Sequence, residues 1–315
     1  MSCDTKPIGL FDLHCDTITE CSLQNQPLRE NSLHLSLGRG RAYLPWIQCF
    51  AVWLPDEIRG AEAVGYFDRV LHRFQHECQC NDDWMLPCRC AQDLQTARQQ
   101  GKCGAVLTVE GGAVLAGEIS RVKLLAQQGV RMLTLTWNGS CEMGDGAMVE
   151  HPKGLTAFGK LAVPELERCN ILIDVSHASD PLFDDVAARA ARPFVASHSN
   201  SRAVCQHPRN LTDQQFVTIR DRGGLVGLNF YPPFLTDSPQ ASLDDLLRHA
   251  EHFLALGGQD TLALGSDFDG AQMPQSIAGV QSMGQIWEHF VKFGYPHPLL
   301  EKIFFKNAWK FFVSL

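Results

Sequence analysis

The feature that most constrains this chain is a series of short apolar segments, each followed by a stretch with helical periodicity. Eight such segments occur in the 315 residues, at 8–12, 47–53, 105–109, 132–136, 171–175, 193–196, 225–229 and 261–264. Apolar, β-branched strands that alternate with helices are typical of parallel β/α construction. Eight strands in this arrangement predict a (β/α)8 barrel of the TIM type.

The main alternative is a doubly wound open sheet, which usually carries a glycine-rich phosphate-binding turn after an early strand. The chain contains no GxGxxG or GxxxxGK motif, so the barrel is favoured. A single barrel commonly reaches this length, and the sequence has no internal repeat or shift in composition. We therefore expect one catalytic domain over residues 1–315. Residues 78–98 are rich in Cys, Asp and Gln and predict a loop excursion.

Charge and hydropathy exclude several classes of partner. The net charge of -8 argues against nucleic acid, since phosphate binding needs a basic surface, and favours a small-molecule partner. No apolar stretch approaches the roughly 18 residues that span a membrane. The amino end lacks the basic and then apolar pattern of an export signal. We expect a cytoplasmic protein that binds no membrane.

The twelve cysteines are spread along the chain, which for a cytoplasmic protein predicts reduced and mostly buried thiols. One cluster consists of two CxC pairs, Cys78 with Cys80 and Cys88 with Cys90. These pairs could hold a structural zinc ion, but the usual ligand spacing is CxxC. Free thiols in a loop are the favoured interpretation.

Side chains able to bind a metal or transfer a proton follow the ends of five predicted strands. They are His14, Asp16, Glu110, His177, His198 and Asp267. The catalytic face of a barrel lies at the carboxyl ends of its strands, so these side chains are expected to converge. His14 and Asp16 are two residues apart and, on an extended segment, would project to the same side.

Three histidines, one aspartate and one shared glutamate suit two zinc ions about 3.5 to 4 Å apart. Such a pair activates a water molecule and polarises a carbonyl group, which predicts hydrolysis of an amide or ester. Glu110 precedes two glycines, where the backbone turns tightly and leaves room for a bridging carboxylate. Asp267 at the end of the last strand is the predicted general base. Asp269 is the alternative, although an aspartate before glycine more often caps a turn.

The order of the motifs resembles the renal or membrane dipeptidase family over nearly the whole chain. The resemblance lies in HxD at 14–16, EGG at 110–112, DxSH at 174–177, SHSxxRxxxxHPRN at 197–210 and GSDFDG at 265–270. It implies an amidohydrolase-like barrel that hydrolyses dipeptides with a hydroxide activated by two zinc ions. It also suggests a homodimer.

The resemblance assigns roles to individual residues. It implies that His14 and Asp16 bind the first zinc ion and that His177 and His198 bind the second. Glu110 would bridge both ions. Arg209 would pair with the C-terminal carboxylate of the dipeptide, because a guanidinium group matches a carboxylate with two parallel hydrogen bonds. Asp267 would carry the proton to the leaving amine.

One position departs from the mammalian pattern of this family. Mammalian members carry LTLTH after the fourth strand, and here residues 133–137 read LTLTW. An indole group donates one hydrogen bond but cannot become charged. Stabilisation of the oxyanion would then rest on zinc, Trp137 or Asn138, and we include both residues in the predicted substrate site. The sequence TWN at 136–138 is similar to that of bacterial-type members, which favours a bacterial-type cytoplasmic enzyme.

Two other functions are compatible with the fold. The first is another binuclear amidohydrolase, acting on a cyclic amide, a lactam or an N-acyl amino acid. Arg209 discriminates here, since it predicts a free carboxylate on the substrate. The second is a non-catalytic barrel that serves as a binding protein. The complete set of metal-competent residues argues against this second function.

Overall fold

The computed structural model describes residues 8–315, and parallel β-strands form its centre. The strands are β1 (Leu10–Cys15), β2 (Trp46–Trp53), β3 (Met85–Pro87), β4 (Cys103–Glu110), β5 (Val130–Thr134), β6 (Leu172–Asp174), β7 (Val226–Leu228) and β8 (Leu262–Leu264). The long strands β1, β2 and β4 are buried almost throughout, as expected for parallel strands with both faces covered.

The strands form a ring. β1 pairs with β2 on one side and β8 on the other, and β4, β5 and β6 follow β2 in order. The predicted segment 193–196 makes single bridges, from Val195 to Asp174 of β6 and from Ala196 to Val226 of β7. This segment closes the ring as its sixth member, and β7 pairs with β8. The predicted (β/α)8 barrel is therefore confirmed.

The prediction of a loop over residues 78–98 was wrong. This stretch contains the end of a long helix, the short strand β3 and most of a further helix. β3 pairs in parallel with the amino end of β4, where Met85 lies opposite Cys103. The composition concealed the helix because only Leu94 and Ala97 of its ten residues are buried, while polar side chains cover its outer face.

The two CxC pairs lie on this inserted unit. Cys78 and Cys88 are buried, whereas Cys80 and Cys90 are exposed. Burial raises the pKa of the Cys78 thiol to about 12 and also raises the pKa of Cys88. Metal binding requires the thiolate form, so this environment gives the structural-zinc interpretation no support.

Helices surround the ring. They are α1 (Thr17–Leu23), α2 (Leu37–Gly40), α3 (Gly60–Cys80), α4 (Ala91–Gln100), α5 (Ser120–Gln128), α6 (Ala157–Arg168), α7 (Asp180–Arg189), α8 (Asp213–Asp221), α9 (Pro232–Leu235), α10 (Leu243–Ala255), α11 (Met283–Lys292), α12 (His297–Glu301) and α13 (Asn307–Val313). Capping boxes begin α8 at Thr212 and α10 at Ser242, which fixes where these helices start. Within residues 8–315, no helix is both long and apolar enough to cross a membrane.

Two apolar layers hold the barrel together. One cluster packs strands against the surrounding helices, and a second, the inner cluster, joins strand side chains to residues of α4 and α13. The inner cluster includes Phe11 near the amino end of β1, and its ring lies 4.9 Å from that of Phe312 in α13. Aromatic packing from the carboxyl-terminal helix therefore covers the amino ends of the strands, which leaves the opposite end for polar side chains.

Candidate metal centre

The six predicted metal-competent or acid/base residues meet at the carboxyl ends of the strands. Glu110 is the last residue of β4, and His177 follows β6. All six are buried, with at most 9% of their surface exposed. Sequence reasoning placed them on one rim of the barrel, and the structure brings their side chains within a few ångströms of each other.

Glu110 lies between the histidines. Its Oε1 atom is 2.7 Å from His177 Nε2 and 3.5 Å from His198 Nε2. Its Oε2 atom is 3.6 Å from His14 Nε2. The two carboxylate oxygens thus face different sets of imidazole nitrogens, as a bridging carboxylate would.

A second group of donors adjoins the first. His14 Nε2 lies 3.2 Å from Asp16 Oδ2 and 3.9 Å from Asp267 Oδ1. Asp16 is the N-cap of α1 with φ -96° and ψ 8°, so it meets His14 across a turn rather than on an extended strand as expected. Two triads of potential ligands result, one of His14, Glu110 and His198 and the other of His14, Asp16 and Asp267.

The donor set fits divalent cations. His14 Nδ1 and Asp16 Oδ1 are buried without a hydrogen-bond partner, and His177 Nε2 and His198 Nε2 lie 3.0 Å apart. Buried carboxylates and imidazoles at such distances need a positive charge to compensate their desolvation. Nitrogen and oxygen donors of this kind suit zinc and related metals.

The pKa values of these residues indicate a site that attracts a cation. Burial raises the pKa of Glu110 well above its ordinary value and lowers the pKa of His177 and His198 well below theirs. Burial alone would also lower the pKa of His14, but Glu110 and Asp16 raise it to about 10. The cluster therefore attracts a cation while His177 and His198 stay neutral, the form of imidazole that binds metals.

Hydrogen bonds behind the histidines fix their orientation. Ser197 Oγ donates to Asp174 Oδ2 at 2.6 Å and lies 2.7 Å from His198 Nδ1, so it can accept the proton of that ring nitrogen. Asn138 Oδ1 lies 3.0 Å from His177 Nδ1. Both contacts leave Nε2 free on the side of Glu110, which is how outer hydrogen bonds orient metal-binding histidines. The side-chain oxygen of Asn138 is thus occupied by His177, a contact that the sequence did not indicate.

The backbone is unusual at two site residues. His177 and Asp267 have φ angles of 67° and 63°, in the left-handed region that few side chains adopt. Gly270 approaches the site so closely that a Cβ atom there would lie 2.1 Å from Asp16 Oδ2 and 2.7 Å from Asp267 Oδ1. Strained backbone of this kind is typical of functional sites, and the close approach explains the glycine of GSDFDG.

The two aspartates of GSDFDG have different environments. Asp267 faces His14, and its Oδ2 atom accepts a hydrogen bond from Asn229 Nδ2. Asp269 accepts hydrogen bonds from the Thr17 hydroxyl and the His34 backbone N–H, both at 2.6 Å. Asp269 therefore joins segments that are distant in sequence, which is a structural role but not the turn cap that the sequence predicted.

Arg209 is a buried cation with unused donors. It is 4% exposed, and its Nε and Nη2 atoms have no hydrogen-bond partner. Burial lowers its pKa to about 10, with Glu110 and Asp267 opposing the shift, so the guanidinium remains charged at neutral pH. A buried guanidinium with free N–H groups can bind an anionic group.

Trp137 lies beside His177 and contacts a residue that sequence reasoning missed. Its ring centroid is 6.4 Å from that of His177 and 5.1 Å from that of Trp53, in an edge-to-face arrangement. Trp53 lies opposite Glu110 in the register of β2 and β4. The alternation along β2 carried this signal, because Ile47 and Cys49 belong to the inner cluster and Trp53 follows with the same parity.

Comparison with known proteins tests these expectations. A sequence profile of the membrane dipeptidase family, peptidase family M19, matches residues 5–314. The chain belongs to the membrane dipeptidase family. An uncharacterized Klebsiella pneumoniae protein from the pqqA 5' region is 34% identical over 233 residues, which cover 70% of this chain and 85% of that protein.

Two solved structures share the whole fold. A metallopeptidase from Rhodobacter sphaeroides, liganded with a phosphinate mimic of the dipeptide L-Ala-D-Ala, superimposes with a TM-score of 0.92 at 27% identity, covering 98% of this chain and 99% of that one. A dipeptidase assigned to family M19 superimposes with a TM-score of 0.91 at 28% identity, covering 97% of this chain and 98% of that one.

Family membership settles the class of activity. The chain is a metal-dependent dipeptidase, a hydrolase of peptide bonds, as the resemblance implied. A different amidohydrolase activity and a non-catalytic barrel, the two alternatives raised from the sequence, are not favoured by these relatives.

Proposed function

We propose that this dipeptidase works with two zinc ions, held by five ligands and bridged by Glu110. The proposed ligands are His14, Asp16, His177, His198 and Glu110. The observation that carries this proposal is the position of the Glu110 carboxylate, whose Oε1 faces His177 and His198 while Oε2 faces His14. A single ion would leave part of this donor set unpaired in a buried site.

Bound zinc would supply a Lewis acid for the peptide carbonyl and lower the pKa of a water molecule. The chain's own residues would orient the reactants and move protons. Asp267 is proposed as the group that takes a proton from water and passes it to the leaving amine. Support for this role comes from its place 3.9 Å from His14 Nε2, while Asp269 is occupied by Thr17 and His34.

Arg209 is proposed to bind the free carboxylate of the substrate's C-terminal residue. Its unpartnered Nε and Nη2 atoms supply two N–H donors in one plane, which matches a carboxylate. A dipeptide with its carboxylate on Arg209 would present its peptide bond to the metal ligands. The phosphinate dipeptide mimic bound by the Rhodobacter sphaeroides relative supports a ligand of this size.

Trp137 and Asn138 are both proposed to act beside His177. Asn138 would hold the imidazole ring, since its Oδ1 atom lies 3.0 Å from His177 Nδ1. Trp137 would line the substrate site in the place of the histidine that mammalian members carry. We assign the neutral indole to binding of substrate and the stabilisation of the oxyanion chiefly to the metal.

The test combines activity with metal analysis. Purified protein is assayed on a panel of L-L and L-D dipeptides as isolated, after chelation and after zinc is restored, and its metal content is measured by mass spectrometry. We expect cleavage to disappear with chelation and return as zinc approaches two ions per chain. Full activity at one ion per chain, or restoration by another metal but not by zinc, would contradict the two-zinc proposal.

We also propose a cytoplasmic location and a homodimer. Buried, singly placed cysteines such as Cys15, Cys49 and Cys103 suit a reducing compartment. The dimer is suggested by the family resemblance. Cell fractionation tests the first proposal, and light scattering of the purified protein tests the second, for which a mass of one chain would be the contrary result.

A further inference from the structure

An aromatic wall, formed by Trp53 and Trp137, stands at the mouth of the barrel. The two indole rings meet edge to face with centroids 5.1 Å apart, and both side chains are partly buried. The indole N–H of Trp53 is buried without a hydrogen-bond partner. A buried indole N–H usually finds an acceptor, so this donor suits a backbone oxygen of a bound dipeptide, while the carbon atoms of the two rings suit an apolar side chain.

The wall is held in place by its neighbours. The backbone N–H of Trp53 donates to Thr19 Oγ1 at 3.1 Å, which fixes the end of β2. The carboxylate of Asp56, just beyond β2, accepts a hydrogen bond from the backbone N–H of Gly139 at 2.7 Å. This bond joins the loop after Trp53 to the loop after Trp137, so the two rings form a fixed surface.

The wall lies across the barrel mouth from Arg209. Around the ring, β2 is the second member and the segment 193–196 is the sixth, and opposite members of an eight-membered ring are four places apart. Arg209 lies on the connection that follows this segment, whereas Trp53 ends β2. The metal-competent side chains, with Glu110 in register beside Trp53, occupy the space between.

We propose that the aromatic wall binds the side chain of the substrate's N-terminal residue and selects dipeptides in which that side chain is large and apolar or aromatic. The inference rests on the proposed function, because it takes the carboxylate of the dipeptide to lie on Arg209. A dipeptide fixed there and extended over the metal ligands directs its N-terminal residue toward Trp53 and Trp137. Their indole surfaces offer a large apolar contact area at little cost in side-chain entropy.

The charges near the wall favour an apolar rather than a cationic side chain. Asp56 is the acidic residue that joins the two loops, and its carboxylate is already occupied by Gly139 and faces Arg59 at 3.7 Å. The Arg59 guanidinium also donates to the Ser140 carbonyl oxygen at 2.7 Å, next to the wall. Asp56 and Arg59 are thus engaged with each other and with backbone groups, so neither offers an unpaired charge to a polar side chain, whereas a phenylalanine or leucine side chain would gain apolar contact.

The experiment compares three dipeptides, Phe-Ala, Ala-Ala and Ala-Phe, each made with an L or D C-terminal residue. The values of kcat/KM are measured for the zinc-loaded wild type, Trp53→Ala, Trp53→Phe and the control Trp84→Ala. Trp84 is also partly buried but stacks under Arg29 on the inserted unit, away from the site. Thermal melts establish that each variant is folded.

We expect the wild type to prefer Phe-Ala over Ala-Ala by about tenfold or more, a range typical of hydrophobic pockets. Trp53→Ala should reduce this preference by about tenfold, mainly through KM, while Trp53→Phe retains part of it and Trp84→Ala retains all. The ratio for Ala-Phe over Ala-Ala should stay unchanged in every variant. A preference that survives Trp53→Ala, or an equal loss for Phe-Ala and Ala-Phe, overturns the proposal.

A binding measurement separates this inference from the proposed function. Calorimetry with phosphinate mimics of Phe-Ala and Ala-Ala reports affinity without turnover. If Trp53→Ala weakens binding of the Phe-Ala mimic but not of the Ala-Ala mimic, the proposed role of the aromatic wall is supported. If the wild type cleaves none of the dipeptides and binds neither mimic, this result would contradict the proposed function and, with it, the proposed role of the aromatic wall.

Discussion

Asn229 Nδ2 donates a hydrogen bond of 3.0 Å to Asp267 Oδ2. The orientation of this amide is fixed, because Asn229 Oδ1 accepts a hydrogen bond of 2.6 Å from the backbone N–H of Tyr231. Asp267 Oδ2 is thereby held, and Oδ1 is left facing His14. The carboxylate proposed to transfer the proton is therefore positioned by a neutral donor, which keeps it in one orientation without neutralising its charge.

Removal of this donor should slow the reaction. We expect Asn229→Ala and Asn229→Asp to lower kcat for a dipeptide about 10- to 100-fold, the usual effect of losing an outer-shell partner. Asn229→Asp keeps the size of the side chain and the acceptor for Tyr231, but it places a second carboxylate against Asp267. Wild-type kcat in Asn229→Asp would contradict the positioning role, and zinc content measured in parallel separates this effect from loss of metal.

Arg209 should govern the requirement for a free carboxylate. We expect Arg209→Ala to lower kcat/KM for a dipeptide by about 100-fold or more, since two charge-assisted hydrogen bonds are lost. Hydrolysis of the matching dipeptide amide, which lacks the carboxylate, should change little. Steady-state kinetics on the acid and the amide test this directly. If Arg209→Ala kept the preference for the free acid, the proposed orientation of the substrate would fail.

The barrel and the position of its site were predictable because both depend on local sequence patterns. Apolar runs mark the strands, and polar residues at their ends mark the rim, so the convergence of His14, Glu110 and His198 follows once the ring closes. Family membership has now established the metallodipeptidase class. The extent of a single domain and the individual catalytic roles stay predictions.

Several features could not be predicted, for physical reasons. Asn229 has no titratable group, and its role depends on a tertiary contact with Asp267. For Trp53, the alternation along β2 indicates an inward position but does not reveal the contact with Trp137. The pairing of β1 with β2 shifts register between Asp12 and Cys15, and no pattern of letters reveals such an irregularity. The helix α4 was missed because its buried stripe is narrow and its remaining residues are polar.

The glycine at 270 should be essential for metal binding. A methyl group there would lie 2.1 Å from Asp16 Oδ2, so we expect Gly270→Ala to displace this carboxylate and reduce bound zinc below two ions per chain. Activity should fall with the zinc content. Gly65→Ala is the matched control, because its Cβ atom meets nothing closer than 3.9 Å and lies within α3. If Gly270→Ala retained its full zinc content, the loop that contains residue 270 would be able to move without loss of metal binding, contrary to this prediction.

His249 should make the fold sensitive to acid. It is fully buried, its Nδ1 atom accepts the Ser201 N–H, and its Nε2 atom lies 3.0 Å from the Leu235 carbonyl oxygen. Burial lowers its pKa to about 4, below the value near 6.5 of the unfolded chain. The unfolded state therefore binds a proton first, so stability is complete above pH 6.5 and declines as the pH falls toward 4.

We expect the wild type to lose about 2 kcal/mol of unfolding free energy through His249 between pH 7.5 and pH 5. His249→Gln retains a neutral side chain with hydrogen-bonding capacity but cannot titrate, so it should lack this part of the loss. Urea unfolding at both pH values, with a chelator present to remove metal effects, gives the difference for each protein. Because other groups titrate alike in both, the difference between the two losses isolates His249. Equal losses in wild type and variant would mean that the histidine accepts a proton in the folded state without cost.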